Sequence, residues 1–213
     1  MKYENYIFDL DGTLLNTIDD LADSCNYALR SFDMLEYSVD EIRQFVGNGV
    51  KKLMERSVPQ GVDNPMFEKV FQLFKTYYLA HNAVHTKPYC GIPELLEALK
   101  SQGKGIAVVS NKFDTATKDL TKQYFGDTIA VAIGESKDIR KKPAPDMLFE
   151  AMRQLGGTAE NTVYIGDSDV DIATARNCSI PCISVLWGFR DRRFLIKHGA
   201  SVLIRHPLDI LNL

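Results

Sequence analysis

Apolar residues recur along this chain in two rhythms. Short, nearly continuous apolar runs lie at 6–8, 105–109, 129–133, 162–165 and 182–186, with a weaker one at 201–204. Strands covered on both faces require runs of this kind. Helical spacing fills the intervals near 92–102, 114–125, 146–155 and 170–177. Strand and helix in alternation predict an α/β fold, with a Rossmann-like parallel sheet and helices on both faces. From about 16 to 84 the alternation stops and no convincing strand occurs. Ile18, Leu21, Ala22, Cys25, Ala28, Leu29 and Phe32 repeat there at helical spacing, as do Met66, Phe67, Val70, Phe71, Phe74, Tyr77 and Tyr78. Gly47-Asn48-Gly49, Pro59-Gln60-Gly61 and Asn64-Pro65 punctuate the stretch. The pattern predicts an inserted all-helical domain at 16–84 within a core of 1–15 and 85–213. Crossover helices lying on the sheet are the alternative.

Composition narrows the classes. With 213 residues, 45% hydrophobic and 25% charged, the chain can bury a real core, which argues against disorder. Lys and Arg number 25 against 28 Asp and Glu, and a net charge of −3 argues against nucleic acid as a partner. Aliphatic runs such as 129–133 are far too short to span a bilayer. The opening MKYENYIFDLDG lacks the apolar region of a secretion signal, so a cytoplasmic protein without membrane association is expected. Cys25, Cys90, Cys178 and Cys182 form no C-x-x-C pair, which suits reduced, packed thiols better than a disulfide or a metal site.

In a doubly wound sheet, chemistry collects outside the carboxyl ends of the strands. Asp9-Leu10-Asp11-Gly12-Thr13 follows the first run, Ser110-Asn111-Lys112 the second, and Gly166-Asp167-Ser168-Asp169-Val170-Asp171 the fourth. Lys141-Lys142-Pro143-Ala144-Pro145 precedes that fourth run. Asp9 and Asp11, two apart on an extended strand end, are expected on one side, where their charges repel unless a cation intervenes. An EF-hand reading of Asp-x-Asp-Gly fails, because the glycine falls at the fourth position and Asp20 stands where Glu is needed. Ser110 and the free amides beyond it suit an anion, although taken alone the segment reads first as an ordinary helix cap. Lys142, ahead of a proline-stiffened turn, can be aimed inward, whereas Arg140 and Lys141 read as solvated. Asp171 lies one helical turn past the strand end and can face back toward Asp167, with Asp169 as the expected helix cap. Carboxylates gathered beside a phosphate call for a hard cation, and Mg²⁺ is the natural one. The four histidines, His81, His85, His198 and His206, show no metal-ligand spacing.

These segments, in this order, resemble the haloacid dehalogenase superfamily of phosphohydrolases, and the likeness covers the whole chain. FDLDGTLLNT, FVGNGVKKLMERSV, VVSNKFD, KKPAPDML, IGDSDVDIATA and VLWGF carry it, and they look most like the phosphoglycolate phosphatase branch. The resemblance makes 16–84 the cap domain. It implies a Mg²⁺-dependent phosphomonoesterase acting on a small phosphorylated metabolite, with 2-phosphoglycolate the best guess. It implies that Asp9 attacks phosphorus and that Asp11 is the acid and base. Asp9, the Asp11 backbone carbonyl and Asp167 would hold the metal, with Asp171 helping directly or through water. Thr13, Ser110, Asn111 and Lys142 would bind the phosphoryl group, and Gly47, Asn48 and Gly49 in the cap would meet the substrate's tail. By the same resemblance, an acid at Asp11 favours phosphate esters over the halide and phosphonate substrates of relatives that lack it. A pyrophosphatase, a nucleotidase, a sugar phosphomutase and a catalytically silent regulatory module on the same fold are the alternatives.

Overall fold

The computed structural model describes residues 2–213. The chain divides into two compact units, one formed by residues through Leu15 with Pro88–Leu213, the other by Asn16–Lys87. The second unit is helical: α1 (Ile18–Arg30), α2 (Val39–Phe45), α3 (Val50–Ser57), a 3-10 turn (Gly61–Asp63) and α4 (Phe67–His81). α1 buries Ile18, Leu21, Ala22, Cys25, Ala28 and Leu29 along one face. It packs against α4, with Tyr27 stacked on Tyr77 at 3.9 Å between ring centroids. Phe67, Phe74 and Tyr78 are buried, while Phe71 and Tyr77 stay half-buried. A reciprocal Ser38–Glu41 capping box starts α2, an arrangement typically worth about 1 kcal/mol.

The chain returns to the first unit at 87/88, three residues beyond the expected 84/85. Asp20 supplies the reason. Its buried carboxylate accepts hydrogen bonds from the amides of His85 at 2.8 Å and Thr86 at 2.9 Å, tying those residues to α1.

The first unit is built on strands. β1 (Asn5–Phe8) opens it, and β2 (Leu15–Asn16) and β3 (Lys87–Pro88), where the chain passes from one unit to the other, pair as a small ribbon. β4 (Gly105–Phe113), β5 (Val131–Glu135), β6 (Thr162–Gly166), β7 (Cys182–Val185) and β8 (Val202–Ile204) complete the set. The main sheet has the order β5-β4-β1-β6-β7-β8, with parallel neighbours throughout. The connecting helices are α5 (Ile92–Ser101), α6 (Asp114–Phe125), α7 (Asp146–Leu155), α8 (Asp169–Asn177) and α9 (Arg192–Lys197). Ile7, Ala107, Val109, Val131, Ile133 and Tyr164 from the sheet form one core cluster with Met147, Leu148, Ala151 and Met152 of α7. Full burial of each large aliphatic side chain contributes about 1.5–3 kcal/mol, which is what holds α7 on the sheet.

Two boundaries differ from the apolar pattern. The run at 129–133 becomes a strand at Val131–Glu135, because pairing with β4 continues to Phe113 opposite Glu135. β4 itself runs on through polar Ser110-Asn111-Lys112, across a register shift between Val109 and Phe113. Central β1, flanked by β4 and β6, delivers the first acidic loop to the middle of the sheet's carboxyl edge.

Candidate active site

The Asp9 amide donates to the Ile165 carbonyl at 2.8 Å, which prolongs the β1–β6 ladder by one residue and fixes Asp9 at the strand tip. Gly12 then turns the chain with φ +82°, and a Cβ there would stand 2.3 Å from Asp167 Oδ2. Only glycine permits both the turn and the close passage. Asp167, at the tip of β6, is held from the other side. The Phe189 amide donates to its Oδ2 at 2.6 Å, and a Cβ on Gly188 would lie 2.3 Å from the Asp167 Cβ. Trp187 Nε1 donates to the Thr13 carbonyl at 2.9 Å, so the 187–189 segment fastens the β1 loop and Asp167 together.

Asp171 sits in the first turn of α8. Ser168, rather than the expected Asp169, caps this helix, since it has the extended backbone a cap requires. Asp171 closes the capping box, with Oδ2 accepting from Ser168 Oγ at 2.6 Å and from the Ser168 amide at 3.1 Å. Its Oδ1 accepts from Tyr164 Oη at 2.9 Å and Lys142 Nζ at 2.8 Å.

Lys142 is 3% exposed. Its ammonium reaches Asp9 Oδ1 at 2.9 Å, Asp171 Oδ1 at 2.8 Å and Tyr164 Oη at 2.8 Å, three acceptors for three protons. The Asn111 carboxamide grips the Lys142 backbone, donating to its carbonyl and accepting from its amide at 2.9 Å each. The Asn111 side chain is thus spent on aiming Lys142, and any contact it makes with an anion is left to its backbone. Ser110 is buried, and its Oγ accepts from the Lys112 amide at 3.2 Å. Thr13 Oγ1 is buried without a hydrogen-bond partner among the described residues.

Oxygens of Asp9, Asp167 and Asp171 lie within 4.8 Å of one another. Burial, and then the charge of Asp171, push Asp9 well above the usual carboxylate range despite Lys142. The same two causes raise Asp167 to about 7. Burial would also raise Asp171, but the charge and hydrogen bond of Lys142 hold it below its ordinary value. Lys142, which burial alone would lower, is raised by Asp171 and Asp9. Asp9 and Asp171 contact the Lys142 ammonium, whereas Arg190 and Lys142 act on Asp167 through their charge, and three gathered carboxylates match a hard, oxygen-seeking dication.

Asp11 also has a partner of its own. Its charge still contributes to raising Asp9, but its Oδ1 pairs with Lys112 Nζ at 2.7 Å. Lys112 and Tyr164 had no role in the sequence reading. A lysine two residues past a strand-end serine, and a tyrosine inside an otherwise aliphatic strand, were the available signals. Gly47, Asn48 and Gly49 belong to the helical unit, with φ of +129°, +64° and +88°. Arg56 holds that loop by donating to the Phe45 and Gly47 carbonyls at 2.6 and 3.2 Å. Arg43 pairs with Asp40, and Lys51 approaches Glu68 at 3.6 Å.

The haloacid dehalogenase-like hydrolase family matches residues 6–185. The chain belongs to this family. Its relatives align with this hydrolase over most of their length. A phosphoglycolate phosphatase of Aquifex aeolicus is 32% identical over 97% of this chain and 94% of its own. An N-acetylmuramic acid 6-phosphate phosphatase of Pseudomonas aeruginosa is 31% identical, covering 100% and 95%. A crystal structure from Lactobacillus delbrueckii subsp. bulgaricus, provisionally assigned as a phosphoglycolate phosphatase, superposes on this hydrolase with a TM-score of 0.94. It is 37% identical and covers 99% of this chain and 97% of its own. No helix of the hydrolase among the described residues is long and apolar enough to cross a membrane.

Proposed function

We propose that this hydrolase is a Mg²⁺-dependent phosphomonoesterase of the cytoplasm that cleaves 2-phosphoglycolate through an aspartyl-phosphate. The observation that carries the reading is the convergence of Asp9, Asp167 and Asp171 around Lys142. Asp9, Asp167 and the Asp11 backbone carbonyl would hold the ion. Asp171, whose two oxygens already accept four hydrogen bonds, would assist from beside it. The bound cation supplies charge neutralisation for a carboxylate approaching a phosphate dianion.

The remaining chemistry belongs to the chain. An Asp9 oxygen forms a bond to phosphorus as the bond to the leaving oxygen breaks, and Asp11 gives that oxygen a proton. Water, losing a proton to Asp11, then attacks phosphorus, and the Asp9 carboxylate leaves. Lys142 steadies Asp9 and the transferring oxygens, with Ser110 and Thr13 offering hydroxyls to the same group. The Gly47-Asn48-Gly49 loop would meet the rest of the substrate.

A second reading, a sugar 6-phosphate phosphatase, is favoured by the full-length likeness to the Pseudomonas aeruginosa enzyme. Phosphate release from a panel of phosphorylated metabolites, ranked by kcat/KM with Mg²⁺ or chelator, separates the two. 2-Phosphoglycolate should rank first and chelation should abolish turnover. A sugar 6-phosphate at the top favours the second reading, and no metal-dependent release from any ester overturns both.

A further inference from the structure

Lys112 takes no part in the scheme above, yet its placement is demanding. The side chain is fully shielded from solvent, and its ammonium lies 2.7 Å from Asp11 Oδ1, whereas the Asp11 side chain remains 18% exposed. A buried ammonium is tolerated where an anion meets it, and breaking such a pair is strongly unfavourable. The irregular end of β4, where the register shifts between Val109 and Phe113, is what presents Lys112 there. To protonate a leaving oxygen, Asp11, which is partly exposed, must take a proton from solvent and turn from Lys112, and both are disfavoured unless a second anion takes its place on the ammonium.

We propose that this second anion is a carboxylate on the leaving group, so that Lys112 is a specificity-determining residue and Asp11 its resting counter-ion. The inference rests on the phosphoglycolate reading and deepens it. In 2-phosphoglycolate a single methylene separates the leaving oxygen from the carboxylate. An ester whose leaving oxygen touches Asp11 therefore carries its carboxylate close to the cation that Asp11 touches. Exchange of one carboxylate for the other on Lys112 frees Asp11 when the correct ester is bound. The substrate class is phosphate esters of 2-hydroxy acids. An ester without the acid group leaves Asp11 paired with Lys112, and its cleavage is slow.

The test compares kcat/KM for 2-phosphoglycolate and for 2-hydroxyethyl phosphate, its counterpart without the carboxylate, in the wild type, Lys112→Met and Lys112→Arg. Wild type should favour the carboxylated ester by about 30-fold or more, the scale of a buried charge pair. Lys112→Met should collapse that ratio, and Lys112→Arg should retain part of it. A structural role would lower both esters by the same factor, leave the ratio intact and overturn the proposal. If Lys112→Met does not fold, Lys112→Gln replaces it, and a wild-type ratio near one is by itself fatal. Failure of the wild type on 2-phosphoglycolate, with good activity on other phosphates, sinks the proposed function as well. A wild-type preference that survives Lys112→Met sinks this inference alone.

Discussion

Replacing Lys142 by Met keeps the length of the side chain and removes its charge. In the native site that charge stands 2.9 Å from Asp9 Oδ1 and 2.8 Å from Asp171 Oδ1, with the side chain out of solvent. A phosphoryl group in transfer to Asp9 would lie about 4 Å from the ammonium, and at an effective dielectric of about 20 their interaction is worth about 4 kcal/mol per unit charge. Loss of that stabilisation corresponds to roughly 1000-fold in rate. Stability should fall too, since removing one partner from a buried charge cluster costs about 3–5 kcal/mol. The loss should be smaller in acid, where Asp9 carries a proton, and smaller with Mg²⁺. Steady-state phosphate release at saturating Mg²⁺, beside thermal melts of the same preparations, measures both. Arginine should not rescue, because its planar fork cannot direct three protons at Asp9, Asp171 and Tyr164 from one nitrogen. A folded Lys142→Met protein within about tenfold of wild type would refute the electrostatic role.

Asp11→Asn should lower kcat by about 100- to 10000-fold on alkyl phosphates with little change in KM, and much less on p-nitrophenyl phosphate, whose phenolate leaves without a proton. Wild-type-like turnover of alkyl esters in that variant would remove Asp11 from the mechanism. Because Asp9 is raised and Asp167 stands near 7, a bound dication must displace their protons, so Mg²⁺ affinity should climb as pH rises through about 7 with measurable proton release. The sign for stability follows from the same raised values. Protonated Asp167 stabilises the metal-free fold below the ordinary carboxylate range, and that contribution is lost as pH rises through about 7. Metal-free melting temperature should therefore drop over that interval and be restored by Mg²⁺, and calorimetry showing pH-independent Mg²⁺ affinity would contradict the assignment. Gly12→Ala sets a Cβ 2.3 Å from Asp167 Oδ2 at a φ of +82°, and should weaken Mg²⁺ binding more than it alters the helical unit's circular dichroism. Unchanged Mg²⁺ affinity in that variant would mean the loop has room to yield.

Much of the fold is legible because burial leaves a strong mark. α6 and α7 begin and end where their helical spacing does, at Asp114–Phe125 and Asp146–Leu155. β4 and β5 depart from their apolar pattern, since their mutual hydrogen bonding and not apolarity decides where they stop. The acidic strand ends are legible as chemistry because Asp9 and Asp167 bring carboxylates to the tips of buried strands, while Asp171 also closes the capping box of α8. What hydropathy hides is how polar side chains satisfy one another. Asn111 looks like an anion ligand and is spent on the Lys142 backbone. Asp11, whose charge acts on Asp9, pairs with Lys112. Tyr164 reads as strand filler until its hydroxyl is seen joining Lys142 to Asp171. Apart from Tyr164 with Asp171, these pairings join residues distant in the chain, and no local rule of spacing anticipates them.

Asp9 is proposed to carry the phosphoryl group between substrate and water. Acid quenching during steady-state turnover of 2-phosphoglycolate with Mg²⁺, followed by peptide mass spectrometry, tests it directly. The expected result is one phosphoryl group on the peptide bearing Asp9, absent without Mg²⁺ and absent in Asp9→Asn. Turnover that leaves Asp9 unmodified at every quench time, or that persists in Asp9→Asn, would contradict it.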